Sequence, residues 1–268
     1  MQPVRSVLPV EAHRGFLGLM PAYAGSLGCK LVTFYPENSG VPTHHALIVL
    51  FRPETGEPIA VMDGTWITEV RTAAVSAIAT DLLARPDARV LCLLGSGVQA
   101  GSHLEALRLV RRFDEVRVWS PHNAARFARE HAITASPGAE EAVRGADVVV
   151  VATSSKTPVL EGRWLSPGTH VNAVGACRPE WRELDGDALR QSRLFVDSEK
   201  AAVVESGDII AANRPVTELG ALIADARLGR RATSEITLFK SLGLAVEDVV
   251  AATMVYRAAC REREPSVT

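Results

Sequence analysis

Lysine is scarce in this chain. Of its 29 basic residues only four are lysines, Lys30, Lys156, Lys200 and Lys240, and the other 25 are arginines, so each retained lysine invites a chemical reason. Charge of one sign is also lacking: 29 basic residues stand against 31 acidic ones, a formal net charge of −2, which gives no nucleic acid or acidic membrane a reason to bind. No apolar run approaches the roughly 20 residues that a bilayer-spanning helix needs, and Met1-Gln-Pro-Val-Arg5 has no secretory apolar core. Aromatics are few, 5% within an apolar share of 47%, so the core must be built mainly from small aliphatic side chains. The four cysteines, Cys29, Cys92, Cys177 and Cys260, show no Cys-x-x-Cys spacing and read as free thiols in a reducing compartment. No His/Cys/Asp group has metal-ligand spacing and no Ser-His-Asp order is legible, so no metal site is expected. These absences describe a cytoplasmic protein of 268 residues, long enough for two modest domains.

What is present is a strand, a glycine turn and a helix in immediate succession. Val90 to Leu94 are five apolar residues, the length of a buried parallel strand. Gly95-Ser-Gly97-Val-Gln-Ala100 follows, and Leu104, Leu107 and Val110 then recur at helical spacing. In that context Gly-x-Gly-x-x-Gly/Ala is a dinucleotide-binding turn. Gly95 permits the sharp bend, Gly97 lets the backbone approach a pyrophosphate, and Ala100 lets helix pack closely on strand. The free N–H groups and positive end of the following helix face the phosphates.

From about residue 70 to 240 strands and helices alternate. Strands are expected at Glu115–Trp119, Asp147–Ala152, His170–Val174 and Leu194–Asp197, with helices at Ala124–His131 and Glu140–Arg144. That alternation implies an α/β, doubly wound parallel sheet, a Rossmann fold, with ligands beyond the carboxyl ends of its strands. Gly95–Ala100, Ser120–Asn123, Thr153–Ser155 and Gly175–Pro179 then border one crevice. The first 70 residues differ: Lys30–Tyr35, Ala46–Phe51 and Pro58–Met62, separated by turn residues, suggest an antiparallel meander. Thr68–Leu83 reads as the helix linking the two pieces. Leu244–Arg261 reads as an amphipathic helix that turns Val246, Val249, Val250, Val255 and Ala258 to a core and packs back on the first region. Residues 262–268, with Pro265, read as a frayed tail. The expected division is a dinucleotide-binding domain over 67–242 and a smaller α+β substrate and dimerisation domain over 1–66 plus 243–268.

The second strand of an NAD site usually ends near an acid that takes the ribose hydroxyls. Here it runs into Ser120-Pro-His122-Asn with no acid until Glu130, which favours NADPH over NADH, with Ser120, His122 and Arg126 as phosphate donors. Arg126 reads equally well as a solvated helix residue. In the first domain Arg5, Lys30 and Arg71 are candidates to hold a small carboxylate, Arg through its bidentate fork. A partly desolvated Lys30 could also give or take a proton. Each, taken singly, could be a surface salt-bridge residue. His44 and His45 are acid/base candidates, one of them more naturally a hydrogen-bonded structural histidine.

The chain resembles the ornithine cyclodeaminase/mu-crystallin family, and within it the ketimine-reducing, mu-crystallin-like members. The resemblance rests on Met1–Arg5, His13–Gly18, Met20–Tyr23, Lys30–Tyr35, Val61–Gly64, Arg71–Thr80, Gly95–Ala100, Ala173–Ala176, Arg178–Asp185 and Phe239–Gly243. It implies a two-domain homodimer in which Arg5, Lys30 and Arg71 surround the substrate carboxylate and Lys30 is a proton donor. It further implies that Arg71, Thr72, Gly97, Val98, Gln99, Ser120, His122, Thr153, Ser154 and Val174 contact the cofactor.

Three departures matter. Cys177 stands where ornithine cyclodeaminases carry an aspartate, which turns the expectation from deamination toward reduction of a preformed imine. Ser120-Pro121-His122 replaces an Asn-Arg-Thr turn, so the resemblance supplies no arginine for a 2′-phosphate. The family usually extends further before the position of Met1, which implies either an absent segment or a mis-assigned start codon. The resulting expectation is NADPH-dependent reduction of a cyclic ketimine carboxylate, of the piperideine-2-carboxylate or pyrroline-2-carboxylate type, to an imino acid. Rival readings are an ornithine cyclodeaminase, an alanine-type amino-acid dehydrogenase, and a non-catalytic NADPH-dependent binder of a small hormone-like aromatic acid.

Overall fold

The computed structural model describes residues 1–261; the tail expected over 262–268 lies outside the described residues. The chain opens with an antiparallel sheet whose five strands lie in sequence order: β1 (Ser6–Val10), β2 (Gly15–Tyr23), β3 (Leu27–Phe34), β4 (His44–Phe51) and β5 (Pro58–Asp63). The meander is therefore two strands larger than the sequence suggests. Gly18 and Pro21 break the alternating pattern of β2. Gly18 is nonetheless well placed, since a Cβ there would come within 3.1 Å of Val32 on the neighbouring strand.

Helix α1 (Thr65–Leu83) leads into the second part. There follow β6 (Val90–Leu94), α2 (Val98–Val110), β7 (Glu115–Trp119), α3 (Ala124–His131), β8 (Thr134–Ala135), α4 (Ala139–Val143), β9 (Val148–Val151) and β10 (His170–Ala173). The chain continues through α5 (Gly186–Gln191), β11 (Ser192–Val196), α6 (Glu199–Glu205), α7 (Gly207–Ala212), β12 (Thr217–Glu218), α8 (Leu219–Ala224) and β13 (Ile236–Lys240). It closes with α9 (Ala245–Arg261). The eight later strands are all parallel, in the order β12-β11-β13-β10-β9-β6-β7-β8. The protein is thus α/β, a parallel doubly wound sheet with a smaller antiparallel unit. Two compact units result: Met1–Arg71 with the described chain from Gly243 onward, and Thr72–Leu242.

Apolar runs make the parallel sheet because both its faces are covered. Val148 and Val150 turn to one face, with Leu91, Leu93, Ala100, Leu104, Leu107 and Phe127. Val149 and Val151 turn to the other, with Leu94, Val171, Leu189, Leu194 and Leu238. Each fully buried leucine contributes about 1.5–3 kcal/mol relative to exposure. β6 lies beside β7 on one side and β9 on the other, so the connections reverse direction between β6 and β9. Crevices at such a reversal receive ligands in open parallel sheets.

In the antiparallel unit, α9 covers one face of the sheet with Ala245, Val249 and Ala252, against Met20, Ala22, Ile48 and Leu50. The stripe differs from the expected one: Val250, Val255 and Ala258 are exposed, and Asp248 is buried in their place. Alanines let the helix sit close on the sheet, and two cations described below compensate the carboxylate.

Two buried histidines make the parallel unit acid-sensitive. His103 is held between Ser76 Oγ (2.9 Å) and the Gln99 carbonyl (2.7 Å), so Nδ1–H donates to the carbonyl and Nε2 accepts from the hydroxyl. Burial brings His103 from 6.5 down to about 4, and burial with the Arg230 charge brings His170 from 6.5 down to about 3. The unfolded chain therefore takes up these protons first. The stabilisation from neutral burial is complete above about pH 6.5. It is lost as pH falls, by about 1.4 kcal/mol per unit for each histidine until its folded value is reached. Urea unfolding between about pH 7 and 5 is expected to show stability dropping with pH in this range; a flat profile contradicts the neutral assignment.

Candidate cofactor and carboxylate sites

In the parallel unit the turn after β6 has the geometry its sequence requires. Gly95 has φ +113°, and a Cβ there would lie 2.2 Å from the Ala152 carbonyl oxygen, so no other residue fits without moving the backbone after β9. Gly97, at the N-terminus of α2, has nothing within 4 Å of where a Cβ would stand. That open space, with a helix start that no side chain caps, suits a pyrophosphate approaching the backbone N–H groups. Val98 is exposed beside it, and Ala100 is fully buried under the helix. Gln99, in the first turn of the same helix, has a buried Oε1 acceptor with no hydrogen-bond donor among the described residues. These features fit a dinucleotide.

The other expected cofactor residues stand on the neighbouring strand ends. Ser120, after β7, shares a 2.7 Å hydroxyl hydrogen bond with Ser96 and accepts from Asn123 N at 3.3 Å; His122 is exposed on the same turn. Arg126 forms a 3.8 Å ion pair with Glu130, which accords with a solvated helix residue. Thr153 and Ser154 follow β9, and Val174 follows β10. Thr72 is buried on α1, and the division of the two units separates it from Arg71.

The sequence did not reveal the group that ties these loops together. Glu183, fully buried, accepts from Thr153 N (2.8 Å), Thr153 Oγ1 (2.6 Å), Gly175 N (2.7 Å) and Ala176 N (2.9 Å). Burial pushes its carboxyl up and Lys240 opposes this; four converging donors suit the ionised form. Lys240 Nζ, at the end of β13, lies 4.0 Å from Glu183 and 3.6 Å from Asp208. Asp208 Oδ1 in turn accepts from the backbone of Glu183 (3.1 Å) and Leu184 (3.2 Å). Cys177 is half-buried nearby, its thiol directed to the Val174 carbonyl at 3.5 Å. The Arg178–Asp185 segment is rich in charge and reads as solvated loop, so only the resemblance marked it.

In the antiparallel unit the three expected basic residues come together. Lys30 sits mid-strand on β3 opposite Met20 and Ile48, on the face that α9 covers, and is 2% exposed. Its Nζ lies 2.5 Å from Asp248 Oδ2 and 3.5 Å from Thr68 Oγ1. Arg71 Nε donates to Asp248 Oδ1 (2.8 Å) and its Nη1 to Glu247 Oε2 (2.7 Å). Arg5 Nη2 donates to the Gly243 carbonyl at 3.0 Å. Gly243, at φ +75°, lies against the Arg71 guanidinium, where a Cβ would come within 2.5 Å of Nη1. Burial and the Arg71 charge bring the Lys30 ammonium from 10.5 down to about 8, against the pull of Asp248. His44 stacks on Phe34 at 4.3 Å and meets Thr43 Oγ1 at 3.2 Å, the structural role expected of one histidine. Glu247 and Asp248 are a second pair that sequence reasoning missed, because acids in a first helical turn read as complements to the dipole. Among the described residues no cluster suits a metal ion and no helix is long and apolar enough to cross a membrane.

A family model described as ornithine cyclodeaminase/mu-crystallin matches residues 1–263. The mouse (Mus musculus) ketimine reductase mu-crystallin is 50% identical over 266 residues, covering 96% of this chain and 84% of its own. The structure of Thermococcus litoralis Delta(1)-pyrroline-2-carboxylate reductase in complex with NADH and L-proline superposes with a TM-score of 0.92 at 39% identity, covering 97% of this chain and 87% of that one. An archaeal alanine dehydrogenase dimer with bound NAD gives a TM-score of 0.91 at 38% identity, over 98% and 86% of the two chains. The family model spans nearly the whole chain and the mouse relative is half identical to it, so this chain belongs to the ornithine cyclodeaminase/mu-crystallin family.

Proposed function

We propose that the protein is an NADPH-dependent reductase of cyclic ketimine carboxylates, of the piperideine-2-carboxylate or pyrroline-2-carboxylate type. The observation that carries this reading is Lys30: a buried ammonium with its acidity raised to about 8, set beside the guanidinium of Arg71. An anionic substrate is drawn to Arg5, Lys30 and Arg71, and an imine nitrogen needs one proton as its carbon is reduced. When bound, the cofactor supplies a hydride to that carbon. Lys30 supplies or retains the proton on nitrogen, so one C–H and one N–H bond form as the C=N π bond is lost. Burial around Lys30 keeps out the water that would hydrolyse an imine.

In the parallel unit Gly95, Gly97, Val98 and Gln99 take the pyrophosphate side of the cofactor, and Thr153, Ser154 and Val174 border its other half. Arg71 and Thr72 are assigned to the cofactor as well. The stretch from Trp119 to Arg129 has no carboxylate to repel a 2′-phosphate, and Ser120 and His122 offer donors to it. Cys177 supports imine reduction over deamination, because a thiol cannot serve an amino group as the family's aspartate does. A homodimer fits the uncovered face of the antiparallel sheet, where Leu8, Leu47 and Val61 are 60%, 50% and 67% exposed.

The test is oxidation of NADPH and NADH with the two imines as substrates. Turnover with either imine, at a higher kcat/KM for NADPH, is the expected result. The likeness to an alanine dehydrogenase supports a second reading, amino-acid oxidation. Ammonia released from alanine or ornithine, with neither imine reduced, would establish that reading instead.

A further inference from the structure

Lys30 projects from the middle of a strand whose paired neighbours, Met20 and Ile48, carry no charge. The charged and titratable groups that face it come from other elements: Arg71 from α1, Arg5 from the segment before β1, His44 from the start of β4, and Asp248 from α9. Thr68 of α1 adds a hydroxyl at 3.5 Å. The anion paired with Lys30 is Asp248, and it is fully buried. Its two oxygens are divided between the two cations, Oδ2 to Lys30 Nζ and Oδ1 to Arg71 Nε. A single carboxylate therefore fixes the spacing of the ammonium and the guanidinium. Arg71 is braced further by Glu247, which also accepts from Leu244 N at 3.1 Å. Both acids lie in the first turn of the 17-residue α9, where the helix dipole favours negative charge.

We propose that Asp248 is the positioning residue of Lys30, holding its Nζ in place and keeping its proton on until the imine nitrogen takes it. The proposal rests on Lys30 being the proton donor of the reaction. Its logic is charge balance in a low dielectric. Without Asp248, the Lys30 ammonium and the Arg71 guanidinium would face each other without the carboxylate that now lies between them. Guanidinium groups do not release protons in proteins, so the strain is relieved where it can be, by loss of the Lys30 proton. Asp248 thus decides whether Lys30 enters the reaction as an acid or as a neutral amine.

The experiment is a pH titration of the protein labelled with ε-13C lysine. Only four lysine signals arise, and Lys30→Arg assigns the one of interest. In Asp248→Asn the Lys30 titration is expected to move down by roughly one pH unit or more. In Glu247→Gln it should stay close to that of the unaltered protein. The alkaline limb of kcat for imine reduction should move with Lys30. An unmoved Lys30 titration in Asp248→Asn overturns the proposal, as does an equal shift in both variants. Should the asparagine variant not fold, Asp248→Glu carries the test. Because glutamate keeps the negative charge, the Lys30 titration should stay within about half a pH unit of that of the unaltered protein, and a fall of about one unit or more overturns the proposal. The titration needs no turnover, so absence of imine reduction would remove the functional reading without deciding the role of Asp248.

Discussion

Replacing Lys30 with methionine is expected to lower kcat for imine reduction by about 10²–10⁴-fold, the range that a positioned general acid supplies, while dinucleotide affinity changes little. Methionine keeps the length and volume of the side chain, so the Met20–Ile48–Val249 packing survives. Asp248 retains its 2.8 Å hydrogen bond from Arg71, which spares it the full penalty of an unpaired buried carboxylate. Unfolding by heat and NADPH binding by fluorescence therefore serve as controls. Lys30→Arg refines the result: it preserves charge for the carboxylate but removes a proton that can leave near neutral pH, so affinity should outlast turnover. In the unaltered protein, activity should fall as pH rises through about 8, where Lys30 loses its proton. A Lys30→Met variant with normal kcat would remove this residue from the chemistry.

Gly97→Ala is expected to weaken cofactor binding by about 10²-fold, or roughly 2.7 kcal/mol, with little effect on folding. The added methyl meets no protein atom within 4 Å, so the folded chain accepts it; the space it fills is that assigned to the pyrophosphate. Gly95→Ala should behave differently. There the methyl would lie 2.2 Å from the Ala152 carbonyl in a φ +113° conformation, and both clash and strain fall on the fold itself. A forced backbone of this kind costs of order 1–3 kcal/mol before the clash is counted. Calorimetric binding and thermal unfolding on the pair separate the two effects. Equal losses of stability in both variants would contradict the assignment of open space at Gly97 to the cofactor.

These expectations show which parts of the protein were legible in the chain. The bounds of β6, β7 and α3 follow from local pattern alone, because an unbroken apolar run or an alternating one specifies a strand and its faces. The turn at Gly95–Ala100 was equally plain. The place of β13 was not: Ile236–Lys240 inserts between β10 and β11, a long-range pairing that no local pattern encodes. The same limit hid the charges. Glu183 lies in a run of arginines and acids that looks solvated, and only the fold brings it beneath the loops after β9 and β10. Asp248 lies on the buried side of α9, where hydrophobic periodicity assigns valines. A charge is tolerated there because Lys30, 218 positions earlier, supplies its counter-ion. Lysine scarcity did point to Lys30, but its partner could only be found in space.

The central claim, that a buried lysine delivers a proton as a hydride reaches an imine carbon, is tested most directly by isotope transfer. The enzyme is supplied with NADPH deuterated at the transferable position and with piperideine-2-carboxylate, and the product is examined by mass spectrometry. Pipecolate carrying one deuterium on the carbon next to the carboxylate, formed by the unaltered protein and about 10²–10⁴-fold more slowly by Lys30→Met, is the predicted result. Deuterium retained in NADPH and unreduced imine recovered from the unaltered protein would contradict it.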